Sequence, residues 1–187
     1  MKIIQFFNNE EKLIKRAIQK NRSAQERLYS LYAPKMLSVC RYYIKDIHFA
    51  EEVMLNGFLK VFSNLNKFEN TGSFEGWIRK IMIRESISFL RKQKHIEFSV
   101  DEIELNSEPI NSIYSLIDVE EIQYLIDALP DGYKMVFVMY AIEGYKHHEI
   151  GEMLKISEGT SKSQLFKARK MLQQKINTLN KTSNGTL

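Results

Sequence analysis

Apolar residues recur three and four positions apart along most of the chain, and that period predicts helices and little else. Leu13, Ile14, Ala17 and Ile18 mark a first helix over residues 11–20. Ala24, Leu28, Leu31, Met36, Val39 and Tyr43 mark a second over 23–44, with Pro34 inside it as a kink or local break. Asp46 is placed to cap a third, in which Ile47, Ala50, Met54, Phe58, Val61, Phe62 and Leu65 repeat. Residues 67–73 read as a loop, and Thr71 or Ser73 starts a fourth helix over 74–94.

The period fails over residues 98–113, where carboxylates mix with Asn106, Ser107, Pro109 and Asn111 and too few apolar residues remain to close a core. It resumes after Asp118, which forms a capping box with Glu121 ahead of Ile122, Leu125, Ile126 and Leu129. Pro130, Asp131 and Gly132 end that helix, residues 133–142 form the next, and Gly144 stops it. Residues 145–154 put Ile150, Met153 and Leu154 on one face. Lys155, Ile156 and Ser157 make a short turn, and Ser157 caps a last helix to about residue 174 with Leu165, Ala168 and Leu172 as its buried stripe. The expected fold class is all-α. Two small helical domains, 1–95 and 118–179, are joined by an extended acidic linker, 96–117; the second contains a helix-turn-helix, and a disordered tail covers 180–187.

Composition agrees: eight glycines and three prolines in 187 residues leave little for a turn-rich β architecture. The net charge of +4 hides a pattern. Residues 1–95 carry 18 lysines and arginines against nine carboxylates, and residues 134–187 carry nine against four. Residues 96–133 hold ten carboxylates and no lysine or arginine. Two basic blocks around an acidic one suggest two nucleic-acid contacts and a middle segment that avoids DNA. Cys40 stands alone, so no disulfide can form within the chain. No apolar run approaches the roughly 20 residues that span a bilayer, and acidic residues come too early for a secretory signal. A cytoplasmic protein without membrane insertion of its own is expected.

Two surfaces carry candidate chemistry. The last helix opens with Ser157, Thr160, Ser161, Lys162, Ser163 and Gln164 and continues with Lys167, Arg169 and Lys170. Short polar groups and cations at the N-terminal turns of a helix suit base edges and phosphates in a major groove. The fourth helix brings Ser73, Phe74 and Trp77 together with Lys80, Arg84 and Arg91, the three cations within about 40° of one another at about 100° per residue. Aromatics beside a cationic track are what a separated strand needs, since stacking on one ring is worth about 1–3 kcal/mol per base. His147, His148 and Glu149 do not make a metal site, because adjacent histidines point about 100° apart and no further ligand cluster accompanies them. No phosphate-cradling loop or nucleophile motif occurs, so neither metal, cofactor nor catalysis is expected.

On these residues the chain resembles the extracytoplasmic-function (ECF) sigma factors of bacterial RNA polymerase. The likeness rests on LPDGY at 129–133, EGY at 143–145, HEI at 148–150 and SEGTSKS at 157–163, with AEEV at 50–53, FLKVF at 58–62 and FEGWIRK at 74–80. It implies that the third helix docks on core polymerase through Glu51, Glu52, Leu55, Asn56, Phe58 and Leu59. It further implies that the segment from Ser73 to Arg91 opens and reads the −10 element of promoter DNA, and that the helix after Ser157 reads the −35 element. An anti-sigma factor is a possible further partner. Where many relatives have Gln and an acidic residue, this chain has Leu55 and Asn56, and Arg84 stands where Asn is common. The alternative reading is a stand-alone helix-turn-helix regulator whose N-terminal half dimerises.

Overall fold

The computed structural model describes residues 2–93 and 119–183, with side chains over 9–93 and 121–179. The chain divides into two compact units, Met1–Gln93 and Lys94–Leu187. The expected linker, 96–117, lies outside the described residues, as does Asp118 of the expected capping box.

In the first unit, helices α1 (Lys2–Ile18), α2 (Arg22–Tyr43), α3 (Ile47–Ser63) and α4 (Phe74–Gln93) pack together, with a single 3-10 turn, Leu65–Lys67, after α3. Helix α1 starts nine residues before its predicted start, its hydrogen-bonded ladder running through Asn8 and Asn9. It stops without glycine: Lys20 adopts a left-handed φ of 60°, and the Asn21 N–H donates to the Arg16 carbonyl at 3.2 Å. Asn21 then caps α2 by accepting from Ala24 N–H at 2.9 Å. Helix α2 passes through Pro34 unbroken. Pro34 and Ser30 are both exposed, so the helical hydrogen bond that Pro34 cannot make is lost on the solvent side of α2. Asp46 caps α3 as predicted, accepting from His48 N–H and Phe49 N–H at 2.8 and 3.1 Å.

Leu28, Met36, Tyr43, Val61, Ile78 and Met82 fill the core. Leu31 and Ile47, both expected inside, are 38% and 43% exposed. Tyr32 takes the inward place in α2 and donates to the Glu10 carboxylate. Helices α3 and α4 approach closely at Gly57, where a Cβ would lie 2.3 Å from Met82 Sδ.

The second unit comprises α5 (Val119–Asp127), α6 (Asp131–Phe137), a π turn (Val138–Ile142), α7 (His147–Leu154) and α8 (Glu158–Ser183). Asp131 and Gly132 open α6 rather than only ending α5, because Pro130 precedes a first helical turn at no cost in hydrogen bonds. The helix predicted to run to 142 widens at its end: the Glu143 N–H reaches back five residues to the Val138 carbonyl at 3.0 Å. Gly144, at φ 76°, then turns the chain. Helix α7 begins two residues later than predicted, with the Glu149 carboxylate accepting from Lys146 N–H at 2.7 Å. Lys155, left-handed at φ 57°, makes the turn to α8. That turn is tight: Ile156 N–H donates to the Gly151 carbonyl, and a Cβ on Gly151 would stand 2.9 Å from the Ile156 oxygen. Helix α8 is longer than predicted and includes residues 180–183 of the expected tail; residues 184–187 lie outside the described part. Ile126, Met135, Met139, Ile150, Leu165 and Ala168 are at the centre of this unit.

Candidate nucleic-acid interface

Helices α7 and α8 form the predicted helix-turn-helix, and Ser157 caps α8: its Oγ accepts from Thr160 N–H at 2.9 Å and lies 2.8 Å from Thr160 Oγ1. Thr160 itself is half-buried. Three of the expected base readers point the other way. Ser161 is fully buried with its Oγ 2.9 Å from His147 Nδ1, and Gln164 is 1% exposed. Ser163, 8% exposed, spends its hydroxyl on the Thr160 carbonyl at 3.0 Å. For Ser161 and Gln164 the reason is period rather than polarity: with Leu165 and Ala168 they form one stripe three and four apart, and that stripe packs inward.

The outward face is correspondingly narrower. Lys162 is exposed and pairs with Glu158 at 2.7 Å, and Arg169 and Lys170 are exposed further along α8. Gly159 and the half-buried Phe166 continue this face at helical spacing. Lys167 is half-buried and leans over the Tyr133 ring, with Nζ 5.9 Å from its centroid. His147, absent from the expected site, joins the two helices. Burial first, then the Lys162 and Arg169 charges, holds its imidazole below the ordinary 6.5, while Glu158 opposes them. Glu158 is lowered in turn by its hydrogen bond to Lys162.

On α4, Ser73 starts the helix as predicted, accepting from Gly76 N–H at 3.1 Å. Phe74 is not available to a base: it is 1% exposed and sits edge-on to Phe68 and Tyr32 at 5.1 and 5.6 Å. Trp77 is half-buried, near-parallel to Phe74 at 5.9 Å and tilted against Phe68 at 5.6 Å. Lys80, Arg84 and Arg91 are all exposed, as a phosphate track requires.

Glu51, Glu52, Leu55, Asn56 and Leu59 share the exposed face of α3, Leu55 being 49% and Leu59 66% exposed. Phe58 does not belong with them. It is buried, edge-on to Tyr29 at 4.8 Å, because it lies on the stripe with Met54 and Val61.

Comparison with known families decides between the readings of this architecture. Residues 28–96 match the family described as Sigma-70 region 2, and residues 119–172 match Sigma-70, region 4. The chain belongs to the ECF sigma factors. It is 31% identical to the RNA polymerase sigma factor SigV of Bacillus subtilis over 132 residues, covering 70% of this chain and 78% of that one. Against the ECF RNA polymerase sigma factor SigW of the same organism it is 26% identical over 183 residues, covering 90% and 97%. The sigma factor RpoE of Bartonella quintana, solved with the anti-sigma factor NepR, shares the fold with a TM-score of 0.55 at 18% identity, over 81% of this chain and 96% of that one. This ECF sigma factor is therefore an RNA polymerase specificity subunit, and the stand-alone regulator is set aside. Among the described residues no helix is long and apolar enough to cross a membrane.

Proposed function

We propose that this sigma factor reads the −35 element with the outward face of α8, centred on Lys162, Arg169 and Lys170. Helix α4 follows the −10 element with Lys80, Arg84 and Arg91, while the exposed part of Trp77 supports a separated base. Glu51, Glu52, Leu55, Asn56 and Leu59 of α3 dock on core polymerase, with the two exposed leucines as the apolar part of the contact between polar neighbours. The protein works in the cytoplasm, contributes no catalytic step of its own and leaves the chemistry to the polymerase. Residues 96–117 act as the acidic tether between the two DNA contacts. An anti-sigma factor is a fitting regulator, since a solved relative is in complex with one.

The observation that carries this reading is the outward face of α8, where exposed cations follow directly on a tight, capped turn. Run-off transcription with purified core polymerase on a library of genomic fragments tests it. Discrete new transcripts are expected only when the chain is added. Transcripts identical to those of core polymerase alone would overturn the proposal.

A further inference from the structure

Resting on the reading of α8 as the −35 reader, we propose that Tyr140 and His147 are positioning residues for DNA recognition: as a stacked pair they grip α8 at two levels and set where Arg169 presents its charge. The rings of Tyr140 and His147 lie 4.6 Å apart with 23° between their planes. His147 Nδ1 is 2.9 Å from Ser161 Oγ in the first turn of α8, and the Arg169 guanidinium carbon is 5.6 Å from the Tyr140 centroid two turns further on. Two grips spaced along one helix oppose its rotation about its own axis. That rotation decides which side chains face a groove, because each residue of slippage turns the outward face by about 100°.

The π turn makes this grip possible. An extra residue in a helical turn re-aims the side chains around it, and here Tyr140 sits in the middle of the five-residue turn. Gly144, at φ 76°, then brings the chain back so that His147 meets Tyr140. A guanidinium over an aromatic face is held by the negative charge of that face and keeps its donors free at the ring's edge. Arg169 is thereby ordered before DNA arrives, so less conformational freedom is lost on binding.

The test uses holoenzyme reconstituted from the full chain and core polymerase. Its probes are a promoter fragment recovered by run-off transcription and the same fragment with its upstream element scrambled. The readout is the ratio of the two affinities. Arg169→Ala lowers that ratio. Tyr140→Leu lowers it about two- to five-fold, the effect of losing one exposed cation–π contact, and Tyr140→Phe, which keeps the ring, restores it. In the double variant, Tyr140→Leu adds nothing to Arg169→Ala. His147→Gln, which retains a partner for Ser161 but no stacked ring, gives the same two- to five-fold loss should Tyr140→Leu fail to fold. A ratio unchanged in Tyr140→Leu or His147→Gln, or additive losses in the double variant, overturns the positioning role while leaving the −35 reading intact. A ratio unchanged in both Lys162→Ala and Arg169→Ala overturns the reading of α8 itself, and the positioning role with it.

Discussion

Lys162 and Ser163 are neighbours in sequence and differ in exposure, one exposed and paired with Glu158, the other buried and folded onto the Thr160 carbonyl. Their substitutions therefore separate. Lys162→Ala lowers the preference of the holoenzyme for an intact upstream element by at least about five-fold, in the range expected for one lost base contact of about 1–3 kcal/mol. Ser163→Ala leaves that preference within about two-fold. Competition binding between intact and scrambled fragments checks both, and equal effects would sink the assignment of faces. A second residue-scale outcome concerns His147. Its folded pKa lies below the ordinary 6.5, so below that pH the unfolded chain binds the proton more readily than the folded one. The contribution of His147 is intact above 6.5 and is lost as pH falls. The charged groups around it are Lys162, Arg169 and Glu158, and of these only the carboxylate favours the imidazolium. Thermal melts of wild type between pH 7.5 and 5.5 should fall more steeply than those of His147→Gln; parallel curves would refute it. Residue roles were the least legible part of the sequence. Ser161 and Gln164 look like base readers by type, and only their spacing from Leu165 and Ala168 reveals that they are buried. Phe74 and Phe58 likewise look available by type, and their places on buried stripes remove them.

Elements were more legible than residues because period, caps and breakers are local. Asp46, Ser73 and Ser157 start α3, α4 and α8 as their side chains dictate. The failures have local causes too. Pro34 sits on the exposed side of α2, where a lost backbone hydrogen bond costs least, so the helix continues through it. The turn at Val138–Ile142 is π, which has no distinctive residue pattern, and the stop of α1 uses a lysine in a left-handed conformation where sequence signals favour glycine. Packing between elements leaves one clear signature. Gly57 has Met82 Sδ 2.3 Å from where its Cβ would stand, and Met82 is fully buried. Gly57→Val therefore displaces the buried Met82 thioether in a core with no room for it and lowers stability by about 1–3 kcal/mol through overpacking. Urea unfolding of the two proteins checks this. An unchanged midpoint would mean that the close approach carries no constraint.

At the scale of the whole molecule, the charge order along the chain was legible at once, since it depends only on counting. It places ten carboxylates and no lysine or arginine between two basic blocks. Each proposed DNA contact is small, and a tether makes the second one intramolecular, at an effective concentration that falls roughly as the −3/2 power of tether length. Doubling the proposed tether, residues 96–117, with neutral Gly/Ser sequence should then weaken holoenzyme binding about three-fold on a fragment with both elements. On a fragment retaining only the upstream element the affinity should not change. An undiminished affinity on the two-element fragment would show that core polymerase alone fixes both units, with nothing left for the tether to do. A loss shared equally by both fragments would instead show that the insertion damages the α8 contact. Only the selective three-fold loss fits two linked, individually weak contacts acting on one duplex.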